Sequence, residues 1–185
     1  MIAMALHLLI ACHVALGLSA TIAGATAMIA VKGPGPHPRR GRLYLVTLAG
    51  TAATGVAITL FDWASLWHLA LLGTVAVALG GIGYAARRVR WNGWLSWHIG
   101  GLSGSYIAML TAFYVDNGPR LPLWQLLPPT TFWLLPSAVG LPLILLSCHR
   151  RHRLLTPGNR TRPLSWPQKR SPLGLRTVRR WCSRR

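Results

Sequence analysis

Acidic residues are nearly absent from this chain. Its 185 residues include 20 lysines and arginines but only two acidic side chains, Asp62 and Asp116, which gives a formal net charge of +18. Carboxylate-bridged metal centres, paired-carboxylate hydrolases and phosphate-bound Mg²⁺ sites all require several acidic ligands. The sequence therefore argues against most hydrolase and kinase chemistries.

Cysteine is also scarce. The chain has three cysteines, at Cys12, Cys148 and Cys182, and none of them belongs to a Cys-x-x-Cys pair. Disulfide frameworks and structural zinc sites depend on such paired or repeated spacings. We therefore expect these cysteines to act as small apolar or incidental residues.

Long apolar runs are what the sequence does contain. Five of them occur, each long enough to cross a hydrocarbon core that needs about 20 helical residues, at 1–31, 43–61, 63–86, 91–115 and 130–148. They predict an all-α fold, an integral membrane bundle of five transmembrane helices forming one domain over residues 1–150. The first run lacks a basic start and is too long for a secretory signal, so we expect an uncleaved span.

Charge in the connections predicts the orientation of the bundle. Arginine is frequent in the first and third connections and after Cys148. The charged residues of the second and fourth connections are only Asp62, Asp116 and Arg120. Positively charged connections stay in the cytoplasm. The pattern predicts a multi-pass protein of the inner or plasma membrane with its N-terminus outside and its C-terminus in the cytoplasm.

The segment 151–185 is arginine-rich and has no apolar periodicity, so it is predicted to be a disordered cytoplasmic tail. A polybasic segment beside a membrane is attracted to anionic lipid headgroups. Because most of the net charge is orientation signal and tail, nucleic acid is not an expected partner. The expected surroundings are the lipid bilayer and, as an open alternative, a membrane partner subunit.

Small residues and prolines predict how the helices pack. Gly17, Ala20 and Gly24 share one stripe of the first helix, and Gly100 with Gly104 repeats the pattern in the fourth, so these faces are expected to point inward. Pro136 and Pro142 fall inside the last run and predict a kinked helix. Tryptophans near both ends of the runs predict aromatic belts at the two interfaces.

Histidines are the candidate functional residues, because an ionisable side chain within a membrane is costly and is a functional hypothesis by default. His13, His68 and His98 lie in or at the ends of the runs, and His37 lies in the first basic connection. His98 also begins a predicted polar stripe on the fourth helix that continues, near multiples of the helical period, through Ser105, Met109 and Asp116.

The depths of these histidines suggest a cofactor. The predicted topology places His13 and His68 in the outer half and His37 and His98 near the inner face, as two axially ligated b-type haems would require. A mononuclear copper or zinc site is a further alternative. The remaining interpretation is that the histidines are hydrogen-bonded within the bundle and bind no cofactor.

Two motifs carry a family resemblance. Lys32-Gly33 is followed by the segment 37–44, His-Pro-Arg-Arg-Gly-Arg-Leu-Tyr, and 97–99, Trp-His-Ile, is followed by 105–113, Ser-Tyr-Ile-Ala-Met-Leu-Thr-Ala-Phe. With these motifs the chain resembles a domain-of-unknown-function family of bacterial predicted membrane proteins, over roughly residues 5–148. The resemblance implies an integral membrane protein without an assigned activity. It carries over five positions: His13, His37, His98, Ser105 and Tyr106.

Two function classes follow from these observations. The first is a membrane protein of unassigned activity, such as a small carrier or accessory subunit, in which the histidines and Tyr106 stabilise helix contacts or relay protons. The alternative is a b-type haem-binding transmembrane electron-transfer protein that uses the bundle histidines.

Overall fold

The computed structural model describes residues 2–122 and 124–155. The described residues form five α-helices and two short 3₁₀ turns, at Gly118–Arg120 and Trp124–Leu126. The helices are α1 Ile2–Ile29, α2 Pro36–Thr59, α3 Trp63–Val89, α4 Trp94–Asn117 and α5 Pro129–Leu155. The predicted all-α architecture with five helices is confirmed.

Four of these helices are long and apolar enough to cross a membrane, by length and composition: α1, α2, α3 and, over Pro129–His149, α5. The chain is therefore a multi-pass membrane protein. Helix α4 has 24 residues, as many as α2. Its serines, its glycines, His98 and the terminal Asp116 and Asn117 lower its hydropathy, and it is not among these four.

The helices form an up-and-down bundle in which each helix packs against the next along the chain: α1 on α2, α2 on α3, α3 on α4 and α4 on α5. The connections before α2 and before α4 meet at one end, where the rings of His37 and His98 lie close together. This is the basic end, with Lys32, the arginines of the first turns of α2 and the arginines that end α3. At the opposite end His68 of α3 contacts Trp133 of α5.

Small side chains form most of the core and let the helices approach one another. The central cluster consists of Ala20, Ala23, Tyr44, Leu48, Ala76, Ala108 and Met109. Large apolar side chains instead cover much of the outside, as Leu8 and Val14 do on α1 with 66% and 60% of their surface exposed. This inside-out distribution suits a bundle whose solvent is lipid, because close packing rather than water exclusion holds such helices together.

The closest helix crossing lies between α3 and α4 at Gly83 and Gly101. A Cβ atom built on Gly101 would lie 2.7 Å from the backbone nitrogen of Gly83 and 2.8 Å from the carbonyl oxygen of Leu79. Of the two glycines expected to point inward, Gly104 does face α3, where an added Cβ would lie 3.4 Å from Leu79, but the close backbone contact is at Gly101 rather than Gly100. A Cβ on Gly100 would meet nothing within 4 Å. On α1 the expectation fits better, because Ala20 and Gly24 are both buried.

Two predicted boundaries differ from the structure. Helix α2 begins at Pro36, seven residues before the apolar run, so the arginine-rich segment predicted as a loop is the first two turns of a helix. Prolines at its first positions favour this start, because they fix the helical φ and their missing N–H groups would have no partner there. Helix α5 continues through Pro136 and Pro142 and ends at Leu155, seven residues after the end of the apolar run. The predicted tail beyond that point, 156–185, lies outside the described residues.

Candidate functional site

The two histidines at the basic end are brought together from different helices. His37 lies in the first turn of α2 and His98 in the second turn of α4. Their ring centroids are 6.5 Å apart and the ring planes are nearly perpendicular, at 87°. The sequence predicts His37 in the first basic connection. In the structure it is a half-buried residue of α2 at the end of the bundle.

Each ring is held by a hydrogen bond to a backbone carbonyl of a neighbouring helix. His37 Nδ1 donates to the carbonyl oxygen of Ala27 at 2.9 Å, and His98 Nδ1 donates to that of Gly83 at 2.9 Å. A carbonyl oxygen only accepts, so Nδ1 must carry the hydrogen, and in a neutral imidazole the lone pair is then on Nε2. Histidine ligands of metals are oriented by this same arrangement.

The local fold of the basic end follows from the residues after α1. Lys32 Nζ donates to the carbonyl oxygens of Ala27, at 3.2 Å, and of Met28, and Arg40 reaches the carbonyl oxygen of Thr26 at 3.3 Å. Cationic side chains are favoured at a helix C-terminus, where the last carbonyls have no helical partners and carry partial negative charge. These contacts, with that of His37, fasten the start of α2 to the end of α1.

A second pair of residues, also 61 positions apart in the sequence, lies deeper in the bundle. Tyr44 and Ser105 are both buried, and the tyrosine hydroxyl lies 2.7 Å from Ser105 Oγ. Ser105 donates its one hydroxyl hydrogen to the carbonyl oxygen of Leu102 at 2.8 Å, so Tyr44 is the donor to Ser105. The pair joins α2 to α4, two helices that meet mainly through side chains.

Tyr106 extends this polar cluster to α1. Its hydroxyl donates to the carbonyl oxygen of Thr21 at 3.2 Å, and its ring lies 6.0 Å from that of Tyr44. The ring fits over Gly24, where an added Cβ would lie only 2.7 Å from two ring carbons. Glycine at this position is therefore what admits the tyrosine between α1 and α4.

The remaining residues of the predicted polar stripe divide between core and surface. Met109 is in the core cluster. Asp116 lies at the opposite end of α4, where its carboxylate is 3.9 Å from Arg120 and its side chain is 38% exposed. Only the first part of the stripe, from His98 to Met109, thus faces the interior.

The other two candidate histidines, His13 and His68, contact different helices. His13 Nδ1 lies 3.0 Å from the carbonyl oxygen of Thr51 and 3.0 Å from Thr54 Oγ1, both on α2. His68 instead packs its ring against Trp67 and Trp133, with centroids 6.1 and 5.8 Å apart. The structure thus seats each of them among non-histidine neighbours, and a second pair like that of His37 and His98 is not seen among the described contacts.

Hydrogen-bond partners of two candidate residues are not predicted as site residues from the sequence. Ser105 is bonded to Tyr44, and His13 lies within hydrogen-bond distance of Thr51 and Thr54. One signal was available: Tyr44 follows His37 by seven residues, as Ser105 follows His98.

Metal binding by amino-acid ligands alone is not supported by the part of the chain that the structure describes. It contains no group of three or more histidine, cysteine or acidic side chains placed to hold a metal ion. Zinc takes three or four protein ligands, and the basic end offers two.

Comparisons with known proteins give no match: no family model, no curated protein and no solved structure is similar to this chain.

Proposed function

We propose that this protein binds one b-type haem between His37 and His98 and transfers electrons in the membrane. The observation that carries the proposal is the pair itself: two imidazoles from separate helices, each fixed through Nδ1 with Nε2 left as the ligating nitrogen. A haem supplies four nitrogens of its own, so two protein ligands complete its iron. The same two ligands would leave zinc incompletely bound.

The separation of the rings suits this proposal. Two imidazoles could hold one haem iron only if their rings lie close together. The observed centroid distance is 6.5 Å. Seven residues, or about 10 Å along the helices, separate the pair of His37 and His98 from the bridge between Tyr44 and Ser105. Over this length the backbones of α2 and α4 are not packed against each other.

The roles of the residues follow from their contacts. His37 and His98 would hold the haem, and the carbonyl groups of Ala27 and Gly83 fix the ring orientation and tautomer. Tyr44 and Ser105 join α2 and α4 deeper in the bundle. The haem would supply reversible one-electron transfer.

Two further proposals complete this account. All five helices span the membrane, with the N-terminus outside and the basic end in the cytoplasm; the charge of the connections supports this orientation. The chain belongs to the domain-of-unknown-function family that it resembles. The support is that four residues of the two motifs, His37, Tyr44, His98 and Ser105, lie together in pairs.

Visible spectra of purified protein test the proposal. Wild-type protein expressed with a haem precursor should show sharp b-type bands on reduction. Replacing His37 or His98 by alanine should remove them, because no neighbouring residue can supply the missing imidazole. His68→Ala is the matched control and should keep the bands. Loss of the bands in the control but not in the pair would contradict the assignment.

A bundle without a cofactor, acting as a small carrier or accessory subunit, is the second candidate. The observation that favours it is that every buried side-chain nitrogen and oxygen within the described residues has a hydrogen-bond partner. Such a bundle is complete through its own contacts. Colourless, metal-free wild-type protein would support it over haem binding.

A further inference from the structure

Six arginines lie at the basic end of the bundle, in two helical segments. Arg39, Arg40 and Arg42 lie in the first two turns of α2, and Arg87, Arg88 and Arg90 end α3. All six are exposed. The contact between His37 and His98 brings these two segments to the same end of the bundle. We call these six residues the arginine rim.

The rim has no acidic partner within the chain. The chain has two acidic residues, and both lie at the opposite end. Asp62 caps the start of α3 through Ser65, and Asp116 is paired with Arg120. Six guanidinium groups at one bundle end repel each other, so their counter-ions must come from outside the chain.

Aromatic side chains of the same end hold two of these guanidinium groups. The guanidinium carbon of Arg88 lies 5.9 Å from the ring centroid of Tyr84, and that of Arg90 lies 5.7 Å from the ring centroid of Trp94. A guanidinium stacked on a ring keeps the N–H groups at its edge available to an anion. Trp91 and Trp97 are exposed beside the rim, and tryptophan is enriched at the depth of the lipid headgroups.

We propose that the arginine rim binds the phosphates of anionic phospholipid headgroups. The position of the rim at the ends of membrane-spanning helices, beside interfacial tryptophans, favours a lipid surface over a soluble anion. Each rim charge adds to the attraction, by about fivefold in affinity for a charge near an anionic surface. The inference requires a multi-pass protein but does not depend on haem binding.

Energy transfer from the rim tryptophans to a dansyl-labelled lipid tests this inference. The full chain in neutral detergent is titrated with dansyl phosphatidylglycerol and, in parallel, with dansyl phosphatidylcholine. The wild type should bind the anionic lipid more tightly. The variant R39Q/R42Q/R87Q/R88Q should lose at least about tenfold of that preference, whereas R120Q, at the opposite end, should keep it.

Two further arms separate the sources of the effect. A tail variant, R176Q/R179Q/R180Q/R184Q/R185Q, should lose less of the preference than the rim variant, and inorganic phosphate should compete no better than chloride at equal ionic strength. If the rim variant does not fold, the single variants R39Q and R87Q should each reduce the preference severalfold. Full preference in the folded rim variant would overturn the proposal. So would loss in the tail variant alone, or displacement of the lipid by millimolar phosphate.

Discussion

Tyr44 donates a hydrogen bond to Ser105 over 2.7 Å, across 61 residues of sequence. The same offset relates His37 to His98, whose rings meet two helical turns nearer the basic end. Helices α2 and α4 therefore run parallel and in register, with two contacts that lie seven residues apart. This spacing, close to two turns of helix, keeps the two contacts on one face. The register holds the two histidines at a defined separation.

The bridge between Tyr44 and Ser105 should contribute measurably to stability. Tyr44→Phe removes the donor, keeps the ring and leaves Ser105 bonded to Leu102, so we expect a loss of about 0.5–1.5 kcal/mol in the free energy of unfolding. Ser105→Ala should cost a similar amount. The double variant should cost less than the two single losses added together, as measured by unfolding titrations in mixed micelles. Strict additivity would show that the two hydroxyls do not interact.

The crossing of α3 and α4 should tolerate no side chain at Gly101. In Gly101→Ala the new methyl group would lie within 2.8 Å of backbone atoms of α3, and backbone cannot move aside as a flexible side chain can. We expect a loss of about 1–3 kcal/mol or more, seen as reduced thermal stability in detergent. Gly100→Ala is the control and should be nearly neutral. Equal effects at the two positions would place the crossing elsewhere.

His13 should stabilise the contact between α1 and α2. His13→Ala removes hydrogen-bonding to Thr51 and Thr54 and leaves space beside Gly55, so a loss of about 1–2 kcal/mol is expected. His7→Ala is the comparison, because His7 is exposed and bonds only to Ala3 of its own helix. Its effect should stay within about 0.5 kcal/mol. A smaller loss for His13→Ala than for His7→Ala would argue against the contact.

The five helices could be predicted from the sequence, because long uncharged runs are local properties. The start of α2 could not be predicted, because the arginine-rich segment 39–42 has the composition of a loop. In the structure His37 and Arg40 bind carbonyl oxygens at the end of α1, and this contact accompanies a helical start. Whether Gly100 or Gly101 contacts α3 depends on how α4 is rotated about its own axis. The spacing of glycines in the sequence does not determine that rotation.

The candidate site was predictable only in part. A histidine near the inner end of α4 could be recognised as a candidate, but its neighbour depends on which helices pack together. Sequence reasoning grouped four histidines in two layers; the structure brings His37 to His98 and places His13 and His68 beside other residues. Pairing across 61 residues is a property of the bundle rather than of either motif.

The orientation of the bundle can be measured by cysteine labelling. In a chain whose native cysteines are replaced, G33C lies before α2 and P119C lies after α4. An impermeant maleimide should label P119C in intact cells and G33C only after the membrane is opened, because five spans place the two positions on opposite sides. Protection of P119C with labelling of G33C in intact cells would show the opposite orientation, and protection of both would show that α4 does not cross the membrane.

The number of haems bound per chain tests the central claim most directly. Protein purified after expression with a haem precursor is assayed for haem by pyridine haemochrome absorbance and for protein by amino-acid analysis. The pair formed by His37 and His98 predicts about one b-type haem per chain, because both histidines would be needed to hold it. Colourless protein, or two haems per chain, would contradict the account.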